Sequence, residues 1–460
     1  MSRTATASGR MRLVAAVGTI ALAITGADAS WLLTRSSGRP AGVAGPLIHR
    51  NIGALADPAR IVQQVADSRD VAVRDLLARR ASAVLRHDET AFLATVDPTQ
   101  VAFAARQRQR FQNMAQVPFA SFSYQLGPAA IAGRRPHPAR YGSAGTFIPD
   151  VTESYQLAGF DRQPVSLHQV LTFVHRQSGW LLAADDDLAF LHQGSDRDLW
   201  DFGPVLVYRG RHTLVLGHPQ AGALLRQAAE EADRDIPDVS AVWGANWAQQ
   251  VVVFLPATQA ELGALIHDPG DLSQIAAVQS TELHSNGLGP PQQAGDRIAL
   301  NPGPFAHLSS LGRRIVFTHE ITHVAARTFT TDAVPLWLVE GFADYVGFLH
   351  SGLSVQVIVQ ELITHVRDQG LPSTLPTNGE FLGTNPSLAA VYEQSWLACR
   401  LIVGERGQAA LVRLYRTIGA PDAPSQAVAA GLLQVLHQTP VAFTAAWRAA
   451  LRAAVGRGAG

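Results

Sequence analysis

The apolar positions change rhythm several times along the chain. The run LVAAVGTIALAITGADASWLL, residues 13–33, is almost unbroken and is preceded by Arg3, Arg10 and Arg12. Residues 34–58 hold Gly, Pro and Ser and predict a linker. From Pro58, ARIVQQVADSRDVAVRDLLARRASAVLR carries apolar residues at helical spacing, as do TAFLATV and ARQRQRFQNMAQV. FASFSYQLGP, TESYQLAGFD and HQVLTFVHRQSGWLLAADDD then read as strands, the last with a polar break at Gln177-Ser178-Gly179. Helices followed by antiparallel strands predict a small α+β domain over residues 59–192.

The stretch DDDLAFLHQGSDRDLWDFGP, residues 185–204, lacks the regular acidic spacing of a calcium loop and reads as a solvated linker or turn. A second domain is expected over 200–456. VLVYRGRHTLVLGH predicts a strand pair turning at Gly210, and QAGALLRQAAEEADRDI an amphipathic helix. QQVVVFLPA predicts a buried strand, ATQAELGALI a helix, and DRIALNPGPF a strand ending in a Pro-Gly turn. A helix from about Ala306 to Thr328 follows. The remainder, through VPLWLVEGFADYVGFLH, SVQVIVQELITHV, SLAAVYEQSWLACRLIVGE and FTAAWRAALRAAV, is helical in pattern. The fold class is therefore α+β, with a small sheet and a mostly helical C-terminal half in the second domain.

Composition narrows the function classes. The 460 residues are 47% hydrophobic and 16% charged, enough for more than one sizeable core. The formal net charge is zero, so there is no basic surplus of the kind that binds nucleic acid. All basic residues are Arg, since the chain has no Lys. Cys399 stands alone, so no intrachain disulfide can form. The N-terminal run, within residues 1–36, reads as an export signal or membrane anchor. Small residues around Ala27-Asp28-Ala29 offer a cleavage site, yet the run is also long enough to cross a bilayer core of roughly 30 Å. Arginines on its N-terminal side put the following chain outside the membrane. The expectation is a single-pass anchor with an extracytoplasmic body, or a secreted protein if the segment is cleaved.

The candidate chemistry sits in FTHEITHVAA, residues 317–326. On a helix, His319 and His323 share one face and can offer two imidazole nitrogens to one ion. Glu320 stands beside that ion, where a base can take a proton from an activated water. HExxH arises by chance on the order of once in a hundred such chains, so the third ligand decides. WLVEGFADY, residues 337–345, supplies one. Pro335 suits the first turn of a new helix. Glu340 then lies among Leu336, Trp337, Val339, Phe342 and Ala343 and needs a partner. A metal is such a partner, while an ion pair with Arg314 or Arg327 is the plainer alternative. Asp344, one turn on, can accept a hydrogen bond from a ligand histidine.

HEITH followed by a helix reading WLVEGFADY resembles the gluzincin metallopeptidases, which include thermolysin-like and aminopeptidase-N-like enzymes and the bacterial peptidase MA-like domains. The resemblance covers roughly residues 200–455. It implies a zincin-like catalytic domain, a Zn2+ ion on His319, His323 and Glu340, Glu320 as general base, and a peptide or protein substrate. The Glu-x-x-x-Asp spacing matches the thermolysin-like pattern in which Asp344 supports a ligand histidine. Tyr392 falls where aminopeptidase-like members carry the tyrosine of Tyr-x-x-Gly, which stabilises the oxyanion, but Ser395 replaces the glycine. No Gly-x-Met-x-Asn strand motif is present to anchor a substrate amine, which points towards endopeptidase action or an unusual substrate. DRIALNP is the strand expected to lie along the substrate. The helix-then-strand order of residues 59–192 resembles the cone-shaped nuclear-transport-factor-2-like fold. Such a domain would position the catalytic one, bind a partner or cover its cleft. A catalytically silent scaffold of the cell envelope is the alternative function.

Overall fold

The computed structural model describes residues 58–129, 138–191, 194–267, 275–284, 292–424 and 426–456, with Leu272 between them. The apolar run at 13–33 lies outside these residues. No helix among the described residues is long and apolar enough to cross a membrane.

The architecture is mixed α and β with small sheets. The front region opens with α1 (Pro58–Leu85) and α2 (Val101–Asn113). Six strands follow: β1 (Phe119–Ala129), β2 (Thr146–Phe147), β3 (Pro149–Leu157), β4 (Val165–Val170), β5 (Thr172–Arg176) and β6 (Gly179–Ala184). They form two antiparallel three-stranded sheets, ordered β1-β3-β4 and β2-β5-β6. Alternation along β3 buries Val151, Tyr155 and Leu157, the half-buried pattern that a one-sided sheet requires.

The third sheet contains β7 (Leu206–Arg209), β8 (Thr213–Gly217), β9 (Val251–Leu255), β10 (Ala277–His284) and β11 (Gln292–Leu300). Its order is β10-β11-β9-β8-β7, with a parallel centre and an antiparallel strand at each edge. Both faces of β8 and β9 are covered, which is why VVVFL is apolar throughout. On one face, Val215 and Val253 join the core built by α3 (Gly222–Trp243) and α4 (Ser310–Ala326). On the other, Leu214, Leu216, Val252 and Phe254 join a core with Phe122, Tyr155, Leu157 and Val165 of the front region. The two regions therefore share a hydrophobic core.

Three expectations change. The strand DRIALNP lies in β11, which is hydrogen-bonded on both sides and has no free edge. The edge strand beside α4 is β10, whose polar VQSTELH wording hid it. The acidic segment 185–204 is no solvated linker. Leu199 and Trp200 are fully buried in the shared core, and Asp187 accepts hydrogen bonds from Arg140, the Tyr141 hydroxyl and Thr172. Pro335 is the N-cap of its helix rather than a first-turn residue.

A fully buried ion pair ties the regions together. Arg297 on β11 donates to both carboxylate oxygens of Asp161, at 2.6 and 3.0 Å. Asp161 also accepts from the Leu157 N–H at 2.8 Å, but it is the one carboxylate that pairs with Arg297 among the described residues. Asp161→Ala should therefore destabilise the protein by roughly 3–5 kcal/mol, because it leaves a buried guanidinium uncompensated. Urea unfolding of the full chain checks this, and a loss under about 1 kcal/mol would show that water reaches Arg297.

Candidate metal centre

Two helices carry the site, and a third packs behind them. The N-terminus of α4 is capped by Ser309, whose side chain accepts from the Gly312 N–H. Every residue from Ile315 to Ala326 is buried, so this helix is a core element rather than a surface one. Next comes α5 (Leu336–Phe348), whose free first-turn N–H at Leu336 donates to Asn378 Oδ1 at 3.0 Å. Further on, α6 (Gln360–Gln369) and α7 (Leu388–Arg406) complete the surroundings.

Glycine sets how closely these helices approach. A Cβ at Gly341 would run into the Ser395 carbonyl oxygen of α7, and one at Gly347 would come within 3.0 Å of the Ile315 carbonyl oxygen of α4. Glu340 is therefore held on a helix clamped from both sides. Ser395, which stands where the resembled family has glycine, is fully buried and donates to the Val391 carbonyl oxygen at 2.8 Å.

The predicted residues converge. His319 Nε2 and His323 Nε2 lie 2.9 Å apart. Glu340 Oε2 lies 3.4 Å from the first and 3.5 Å from the second. A circle through three points at these separations has a radius of about 1.9 Å, so an ion with bonds of about 2.0–2.1 Å meets all three. This is the single group of metal-ligand type among the described residues. Asp344 Oδ1 lies 2.8 Å from His319 Nδ1, which places the proton there and turns Nε2 towards the ligand cluster. The alternative partners of Glu340 are engaged elsewhere. Arg314 pairs with Asp235 and Asp238, and Arg327 donates to Thr281.

Charge balance supports an ion. Glu320, Glu340 and Asp344 are all buried, and none pairs with an arginine among the described residues. Both oxygens of Glu320 lack a hydrogen-bond partner. Burial raises the Glu320 pKa, with His319, His323 and the nearby Gln279 backbone opposing the rise. Burial also works against charge on His319, but Asp344 and Glu340 outweigh it and the imidazole is pushed up to about 10. For Glu340 burial is likewise outweighed, here by His323 and His319, and the carboxyl falls to about 2. Without an ion the cluster thus keeps a proton to hold its acids together. Two imidazoles and one carboxylate around a divalent ion satisfy the same charges better.

Tyr392 on α7 is buried, with its ring centroid 6.5 Å from that of His319 and 5.5 Å from that of Phe381. All the predicted site residues therefore meet in one place. The sequence reading missed two neighbours. The edge strand β10 brings the Gln279 backbone to Glu320. Glu393, beside Tyr392, accepts from the Leu362 and Glu361 N–H groups at the start of α6, at 2.6 and 3.3 Å. A glutamate in an apolar helix was the available signal for Glu393. No protein-family model matches the chain, and no curated protein matches it either.

Two outcomes follow from this geometry. The His319 proton stabilises the ion-free fold fully below about pH 6.5, and that contribution is lost as pH rises through about 10. At about pH 7.5 a divalent ion must displace it, so zinc binding should release about one proton per chain. Calorimetry in buffers of different ionisation enthalpy reads this, and zero release would contradict the protonated cluster. Separately, Gly341→Ala gains about 1 kcal/mol of helix propensity but overlaps backbone, which no rotamer can relieve. It should lower stability by about 1–3 kcal/mol and weaken metal retention, measured by unfolding and elemental analysis.

Proposed function

We propose that this protein is a zinc-dependent peptidase. The observation that carries the reading is the meeting of His319, His323 and Glu340 beside a buried Glu320 whose two oxygens have no partner. Bound there, zinc supplies a Lewis acid for the scissile carbonyl and makes a water more acidic. Glu320 takes the proton of the attacking water and passes it to the leaving amine. Asp344 holds His319 in the tautomer that leaves Nε2 free for the ion. Tyr392 donates its hydroxyl to the developing oxyanion.

The small mixed sheet and helical C-terminal half support a zincin-like catalytic domain, and the paired antiparallel sheets with their helices support a cone-like front domain. Arg3, Arg10 and Arg12 before the apolar run support an extracytoplasmic setting, exported or membrane-anchored. A silent scaffold has no use for Glu320, whose unpartnered burial is costly.

Elemental analysis of the purified protein tests the centre first. About one zinc per chain is expected, and Glu340→Ala should lose it. Glu320→Gln should keep the zinc and lower peptide hydrolysis by roughly 10²–10⁴-fold. A folded protein that takes up no metal would end the enzyme reading.

A further inference from the structure

A cavity of about 440 Å³ lies where the C-terminal end of α4 meets β11 and the loop 246–248, and the chemistry above makes no use of it. Its volume is typical of ligand sites, which run roughly 300–1,000 Å³. Trp247 and Phe329 form apolar walls, and Arg162, Arg327 and Asp296 supply its charges. The walls are braced. The Phe329 ring meets Trp243 edge-on at 5.9 Å, and the Arg416 guanidinium lies 5.5 Å from its centroid.

Its charges are ordered by the edge strand. Arg327 Nε donates to the Thr281 hydroxyl at 2.6 Å. That hydroxyl and the Gln279 amide both donate to Asp296 Oδ1, at 3.1 and 3.0 Å. Asp296 stands 4.0 Å from Arg327 and offsets part of one positive charge. Arg162 is exposed at the rim and acts on Asp296 only through space. Two guanidinium groups thus face one carboxylate, and the cavity is electropositive.

Its position relative to the metal ligands is set by helix and strand periodicity. Arg327 follows His323 by four residues with helical dihedrals, so it stands roughly 6 Å further along the same face. Thr281 follows Gln279 by two residues along β10, an advance of roughly 6.6 Å. Gln279 thus lies beside Glu320, and Thr281 beside Arg327 at the cavity. An extended chain running from the metal ligands towards the cavity also advances roughly 6.6 Å every two residues, with side chains alternating.

We propose that the cavity binds a carboxylate of the substrate, on an acidic side chain or at the chain end, about two residues from the bond held at the metal. This rests on the peptidase reading above. It adds a substrate class, acidic or C-terminal peptide segments, which the metal ligands do not specify.

The test measures binding without turnover, in the full zinc-loaded chain carrying Glu320→Gln. The probes are fluorescein-labelled alanine octapeptides, with one Glu or one Gln, and with a free or an amidated C-terminus. Anisotropy should show the best-placed carboxylate binding on the order of tenfold tighter than its neutral counterpart, as expected for a charged hydrogen bond in a partly exposed site. Arg162→Gln, at the exposed rim, and Arg327→Gln should each reduce that preference while leaving the neutral peptide unchanged. A preference that follows Glu identifies a side-chain carboxylate, and one that follows the free terminus identifies the chain end. Equal binding of charged and neutral peptides, or binding of neither, overturns the inference. So does a preference untouched by both arginine variants. Because no cleavage is required, a protein that never hydrolyses peptide still decides the question of the cavity.

Discussion

Three carboxylates and two imidazoles lie buried in a layer of otherwise apolar helices, and this concentrated charge constrains everything around it. An acid such as Glu340 can stay ionised there only with cations at contact distance. His319 of α4 provides one, with its Nδ1 at 2.8 Å from Asp344 and its Nε2 at 3.4 Å from Glu340. The arrangement is stable only while all five side chains keep their places. A shift of one ångström would leave a charge in a low-dielectric core without a partner, at a cost of several kcal/mol.

That requirement explains the packing of α5. The ligand helix sits between α4 and α7 at a distance that Gly341 and Gly347 alone permit. Close approach brings Glu340 to the histidines and Asp344 behind one of them, while Trp337, Phe342 and Val346 fill the apolar layers on either side. Tyr392 and Glu393, adjacent on α7, then divide between two tasks. Tyr392 packs beside His319. Glu393 turns away to the N-terminus of α6, where the Leu362 and Glu361 N–H groups donate to it. Two glutamates in equally apolar helices thus find different partners.

The front region stabilises this layer from a distance. It covers the far face of the mixed sheet and contributes Asp161 to the buried pair with Arg297. The sheet is held from both sides, and β10 is held with it. A rigid edge strand keeps the Gln279 backbone beside Glu320 and Thr281 beside Arg327.

The chain itself specified the elements with strong periodicity and the residues with obligatory chemistry. Helical spacing put His319 and His323 on one face, and the apolar neighbours of Glu340 demanded a partner for it. Those are local arguments, valid before any tertiary contact forms. The strand β10 was not legible, because an edge strand with polar alternation carries little hydrophobic signal. The burial of Leu199 and Trp200 was hidden by the acidic residues around them, of which Asp201 pairs with Arg110 and Asp198 accepts from the Tyr155 hydroxyl, both partners distant in sequence. Which partner each buried glutamate would take was equally open. Helix spacing, set by Gly341 and Gly347, decided that Glu340 meets the histidines and Glu393 meets a helix end. Periodicity is written in neighbouring residues, whereas the pairing of buried charges depends on distances that exist only once separate elements have packed.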